Sequence, residues 1–107
     1  MRTITATELA RWLAEAREEP PVVLDVREAW EVELASLPGS VQVPMGSIVA
    51  SLDQLDPDRS IVCLCHHGAR SMQVAIYLQR QGFRDVINLT GGIHAWSEQV
   101  DPAMRTY

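Results

Sequence analysis

The sequence contains no lysine. All nine basic residues are arginine, set against fourteen acidic ones, for a net charge of −5. An acidic balance with scattered arginines argues against nucleic acid as the main partner, yet leaves room for one local positive pocket that takes a small anion. Cysteine is scarce as well. Its two copies, Cys63 and Cys65, stand one residue apart, which is not the pattern of a secreted disulfide framework. On alternate positions of one strand they cannot be bridged without distorting it. Free thiols in a reducing, cytoplasmic setting are therefore expected. No apolar run is long enough to cross a membrane, so no membrane partner is expected. After Met1-Arg2 the chain reads Thr-Ile-Thr-Ala-Thr-Glu, without the apolar core of a secretory leader.

What is present is the composition of an ordinary globule: 107 residues, 47% hydrophobic and 21% charged, the size of a single domain over residues 1–107. A chain of this length buries upwards of roughly 60% of its unfolded surface, enough for one core without covalent staples.

Along the chain, strand and helix signals alternate. Ile4-Thr5 fits a short first strand. Thr5-Ala6-Thr7-Glu8 fits a capping box with Thr5 as cap, and Thr7 competes for that place. Leu9, Trp12, Leu13 and Ala16 recur at helical spacing, which predicts a helix over residues 7–18, stopped by Pro20-Pro21. Residues 22–26 form a continuous apolar run broken only by Asp25, as suits a strand covered on both faces. A weak helix is expected over 27–34, a turn at Pro38-Gly39 and a small strand over 41–43. Another short helix is expected over 46–55, with Ile48, Val49, Leu52 and Leu55 as its apolar stripe.

Residues 60–64 read as a strand that delivers Cys65. The strongest helix follows over 71–81, with Val74, Ala75 and Leu78 on one face and Ile76 widening the apolar arc. Gly82 is placed as a left-handed cap and Phe83 as its hydrophobic contact. Residues 85–89 form a further strand, 93–99 a closing helix, and 101–107 a loose tail. Trp12 and Trp96 are assigned to the core or beneath a loop, and for Trp30 the core is favoured over an exposed place at the rim of the site. The alternation predicts an α/β fold: a mostly parallel sheet with helices on both faces.

The chemistry concentrates where the strand over 60–64 meets the helix after it. Cys65-His66-His67-Gly68-Ala69-Arg70-Ser71 places a thiol at the carboxyl end of a strand, where open α/β sheets bind ligands. A helix amino terminus and a nearby cation lower a thiol pKa from about 8.5 into the range of roughly 3.5 to 7.5. Gly68 lets the loop amides turn inward as a nest for an anion. Arg70 supplies a forked cation, and Ser71 a cap or a further donor. Cys65 is thus the expected nucleophile. Cys63, two residues back in mid-strand, is expected to pack. A zinc reading of Cys63, Cys65, His66 and His67 is disfavoured: consecutive histidine side chains should diverge and His94 should stand alone. No metal is expected. His66 and His67 are read as polar loop residues, either of which could help hold an incoming anion or donor thiol.

These features together resemble the rhodanese family of single-domain thiosulfate sulfurtransferases, over nearly the whole chain. Leu24-Asp25-Val26-Arg27-Glu28 resembles the family's D-V-R segment, with Glu31 where its downstream glutamate sits. Leu37-Pro38-Gly39-Ser40 resembles its I-P-G-A turn, with Val43-Pro44 as the strand end after it. Residues 65–71 match C-x-x-G-x-R-S. Gly82-Phe83, Leu89-Thr90-Gly91-Gly92 and Ala95-Trp96 match its closing pattern. Ala35-Ser36 departs from the Gly-His that often precedes that turn.

The resemblance implies a three-layer fold with a five-stranded sheet. It implies sulfur transfer in two steps through a persulfide on Cys65, held by the inward amides of residues 66–71, and no cofactor. The partners implied are a small sulfur-containing anion or a low-molecular-weight thiol, and a sulfur-relay protein as a possible further one. The C-x4-R spacing from Cys65 to Arg70 is one residue shorter than the C-x5-R loop of cysteine phosphatases, so it favours a sulfane sulfur over a phosphate. Asp25 and Arg27 are expected to brace the sheet end against the loop. A non-catalytic persulfide carrier or thiol-sensing module is the alternative, and a phosphatase a more distant one. Trp30, Met45, His66, His67 and Met72 are candidates for the rim that sets specificity.

Overall fold

The computed structural model describes residues 1–16 and 19–107. The first elements are β1 (Arg2–Ile4), α1 (Ala6–Glu15), β2 (Val22–Asp25), α2 (Ala29–Leu34) and β3 (Val41–Gln42). Two 3-10 turns (Met45–Ser47 and Val49–Gln54) lead to β4 (Ser60–Leu64), α3 (Ala69–Arg80), β5 (Asp85–Leu89) and α4 (Gly92–Gln99). The five strands form one sheet in the order β1-β5-β4-β2-β3, and each of the four pairings is parallel.

Side-chain alternation along β4 shows why the sheet is covered on both faces. Ile61, Cys63 and Cys65 point to one side, where they pack with Val74, Leu78 and Phe83. Val62 and Leu64 point to the other, with Leu9, Ile93 and Trp96. A strand buried on both faces needs an unbroken apolar sequence, which is what residues 61–64 supply. Helix α3 and the 3-10 turns cover the first face, and α1 and α4 the second. The protein is an α/β three-layer fold, as the sequence predicts.

Local signals act as expected at several ends. Thr5 Oγ1 accepts from the Glu8 amide at 3.1 Å while Glu8 accepts from the Thr5 amide at 3.0 Å, so the capping box is complete. At the end of α3, the Phe83 amide reaches the Leu78 carbonyl and the Gly82 amide the Gln79 carbonyl, both at 3.1 Å. Gly82 takes φ +89°, a Schellman cap that a side chain would strain.

Other expectations are corrected. Helix α1 ends at Glu15 with Ala16 as its cap, and Glu18, the expected end, lies outside the described residues. The expected helix over 46–55 is two 3-10 turns in which Val49 is 71% exposed. Ile76 sits at the exposed edge of α3 rather than in its apolar arc. Trp30 is 60% exposed rather than core, its ring edge-on to Tyr107 at 5.9 Å between centroids. Residues 101–107, expected loose, return to the sheet end and place the Tyr107 ring flat on His66, 3.9 Å between centroids. Among the described residues, no helix is long and apolar enough to cross a membrane.

The strand order fixes where a ligand can sit. From β4 the chain moves outward to β5, whereas from β2 it moves the other way to β3. The neighbours β2 and β4 therefore flank the point where the winding reverses, and their carboxyl ends open a crevice there. Cys65 follows β4, and Val26-Arg27 follow β2.

Candidate active site

Cys65 is 1% exposed, at the floor of the loop that joins β4 to α3. The Gly68 amide donates to its Sγ at 3.0 Å, and the Ser71 hydroxyl lies 3.3 Å from the same atom. Burial opposes a charged sulfur. The Ser71 hydroxyl, together with the amides of Ser71, Gly68 and Arg70, outweighs burial and holds the thiol below its ordinary value. Cys63 lies on the same face with no such donors, and burial pushes it up to about 12. The two thiols thus differ by surroundings, not by type.

Two glycines shape the loop around the thiol. Gly68 takes φ +108° and caps α3, which turns its amide toward the sulfur. Gly92 takes φ +60°, and a Cβ there would run into the Cys65 and His66 carbonyl oxygens. That close approach lets the first amides of α4 serve the loop: Ile93 donates to the Cys65 carbonyl at 2.8 Å and His94 to the His66 carbonyl at 3.1 Å. A helix start has unpaired amides, and here loop carbonyls satisfy them.

Asn88, on β5, secures the loop from below. Its side-chain amide donates to the Gly68 carbonyl at 3.1 Å, and its Oδ1 accepts from the Ser71 hydroxyl at 2.6 Å. A hydroxyl has one proton. With that proton on Asn88, Ser71 offers a lone pair to the Cys65 thiol; once the sulfur ionises, the proton can turn to it. The sequence reading missed Asn88, although one amide in the apolar run Val86-Ile87-Asn88-Leu89 was a signal.

Arg70 corrects a sequence expectation. Both its terminal nitrogens bind the Glu31 carboxylate, at 2.7 Å each, so the fork engages a protein carboxylate and the cradle around Cys65 is made of amides and one hydroxyl. The Arg70 bonds outweigh burial and lower the Glu31 pKa to about 2.

Asp25 and Arg27 are both fully buried and brace the site. All five guanidinium donors of Arg27 are used: two on Asp25, and one each on the Glu31 carbonyl, the Ala35 carbonyl and the Tyr107 hydroxyl. The Tyr107 hydroxyl also reaches Glu31 Oε1 at 3.0 Å. A continuous polar chain therefore runs from Asp25 through Arg27, Tyr107 and Glu31 to Arg70. Nothing in the sequence of the tail signals Tyr107.

His66 and His67 do not diverge, and His94 does not stand alone. The His66 and His67 rings are 4.0 Å apart between centroids, and those of His67 and His94 5.0 Å. Burial and the neighbouring His67 lower the His66 pKa. Ala69 is exposed at the first position of α3.

Comparison with known proteins agrees with this geometry. The chain is 36% identical over 94 residues to a sulfurtransferase of Allochromatium vinosum, covering 88% of this chain and 86% of that one. It is 47% identical over 89 residues to rhodanese-like/PpiC domain-containing protein 12, a chloroplastic protein of Arabidopsis thaliana; the match covers 79% of this chain but 30% of that longer protein. The crystal structure of a rhodanese-like domain protein from Staphylococcus aureus superposes with a TM-score of 0.85 at 32% identity, covering 94% of this chain and 95% of that one. The model of the rhodanese-like domain matches residues 6–99, and the chain belongs to that family.

Proposed function

We propose that the protein is a sulfurtransferase that carries a sulfane sulfur on Cys65. The observation that supports this most strongly is the floor of the loop: a buried sulfur with the Gly68 amide at 3.0 Å and the Ser71 hydroxyl at 3.3 Å, inside a C-x4-R span. The Cys65 thiolate attacks the outer sulfur of thiosulfate. A sulfur–sulfur bond forms to Cys65 as the bond to the sulfonate sulfur breaks, and sulfite leaves with that electron pair. The persulfide anion on Cys65 takes the place of the thiolate among the amides of residues 66–71. An acceptor, cyanide or a thiolate, then attacks the terminal sulfur and returns the Cys65 thiolate. Covalent catalysis thus splits one transfer into two.

The backbone amides of the loop, fixed before the reaction, stabilise anionic sulfur without reorganising, which is what a preorganised site contributes. Arg70 and Arg27 act through the walls: Glu31 fixes the first helical turn of α3, and Asp25 with Arg27 fixes the end of β2 beside it. A low-molecular-weight persulfide, or a relay protein working in the cytoplasm, is a donor or acceptor of the same chemistry.

Steady-state transfer from thiosulfate to cyanide tests the reading. The protein should form thiocyanate, Cys65→Ser should form none, and an aryl phosphate should not be hydrolysed. Slow thiosulfate turnover with rapid exchange against a protein persulfide would make the protein a carrier. Full activity in Cys65→Ser would overturn the role of Cys65.

A further inference from the structure

Beside the thiol loop, three histidines converge from two elements. His66 and His67 come from the loop, and His94 from the first turn of α4. One imidazole nitrogen from each lies within 4.8 Å of the others. Two nitrogens among the three rings, His66 Nε2 and His94 Nδ1, are buried and have no hydrogen-bond partner. A buried polar atom without a partner is costly, and two of them in one cluster mark a place suited to a ligand.

The other side of His94 gives that ligand a sign. His94 Nε2 lies 2.7 Å from Glu98 Oε1, one turn along α4. A neutral His94 therefore carries its proton on Nε2, donated to the carboxylate, and leaves a lone pair on the buried Nδ1. A carboxylate behind a histidine is the arrangement that orients metal ligands and raises their basicity. The rings are also held in place. The His94 amide is tied to the His66 carbonyl, and Tyr107 stacks on His66 at an interplanar angle of 11°. The lone pair left on His94 Nδ1 suits a cation, and imidazole suits zinc, copper and nickel rather than magnesium or calcium.

We propose that His66, His67 and His94 form a three-histidine site for a divalent transition metal of the zinc class, with Glu98 orienting His94. Tetrahedral zinc with nitrogens at about 2.0–2.1 Å places those nitrogens about 3.4 Å apart. The cluster reaches this by a small closure, for which the exposed His67 has the freedom. Three protein ligands leave a fourth position for water or an anion. The site uses neither thiol, and its occupancy is independent of whether Cys65 transfers sulfur.

The test uses the full chain, stripped with a chelator and kept reduced, titrated with Zn2+ by calorimetry and with Co2+ by visible absorption. One metal should bind per chain. The Co2+ complex should show ligand-field bands without a thiolate-to-cobalt charge-transfer band. His67→Ala and His94→Ala should each weaken binding about 10-fold or more, Glu98→Gln should weaken it less, and Cys65→Ser should leave it unchanged. Circular dichroism confirms that each variant is folded. Three results would overturn the site: folded protein that binds no metal, binding that survives both histidine variants, or binding that disappears in Cys65→Ser.

Discussion

Arg70 and Glu31, 39 residues apart in sequence, meet in a two-pronged ion pair with both N···O distances at 2.7 Å. The pair ties the first turn of α3 to α2, and so ties the lip of the Cys65 loop to the segment that follows β2. Glu31 is almost fully buried while Arg70 is 36% exposed, so the carboxylate depends on this one cation more than the cation depends on it.

The pair makes stability depend on acid. The Glu31 pKa falls from 4.5 in the unfolded chain to about 2 in the fold. A group whose folded pKa is lowered contributes stability that is present above its unfolded value and is lost as pH falls through the folded one. The window is therefore pH 4.5 down to about 2. After discounting for solvent at Arg70, the contribution is on the order of 2 kcal/mol. Urea unfolding of Glu31→Gln should show that loss at pH 7 and a much smaller difference from the parent protein at pH 2.

The two cysteines should react differently. At a pH below the ordinary thiol value, iodoacetamide should label Cys65 ahead of Cys63, because hydrogen bonds lower the first thiol and burial raises the second to about 12. Peptide mass mapping across a pH series gives the midpoint for Cys65, which should lie below that of an ordinary thiol. Ser71→Ala removes a donor to charged sulfur, worth about 1.5 kcal/mol, and should raise the midpoint by about one pH unit. Equal labelling of both thiols would contradict the assignment of their environments.

Arg27 should be the costliest of the site's polar residues to replace. Arg27→Met leaves the Asp25 carboxylate buried without its cation, a loss of about 3–5 kcal/mol. Arg27→Lys restores the charge but not the five-donor fork, so it should recover only part of that. Chemical denaturation of the two variants side by side measures the difference.

The sequence made the strands and the nucleophile legible because each carries a local signal. Apolar runs mark β2, β4 and β5, broken by Asp25 in the first and Asn88 in the last, and the thiol stands where one run meets a glycine and a helix start. Gly82-Phe83 marks the end of α3 in the same way. Long-range partnerships have no local signal. That Glu31 would occupy Arg70 follows from the pairing of β2 with β4, which sets α2 beside the start of α3. That His94 would join His66 and His67, and that Tyr107 would lie on His66, follow from how α4 and the tail return to the loop. The exposure of Val49 and Ile76 was hidden for a related reason. Apolar residues at helical spacing define a stripe, but its edges are set by what the neighbouring elements cover. Around the 3-10 turns at 45–54, Ile48 and Leu55 reach the core and Leu52 packs against it, while Val49 is left on the surface.

The most direct test of the account is the mass of the intact protein after incubation with thiosulfate and removal of small molecules. The account predicts a species heavier by one sulfur atom, mapped to the peptide that holds Cys65, lost on addition of cyanide with release of thiocyanate, and absent from Cys65→Ser. An added sulfur that maps to Cys63, or that persists in Cys65→Ser, would contradict it.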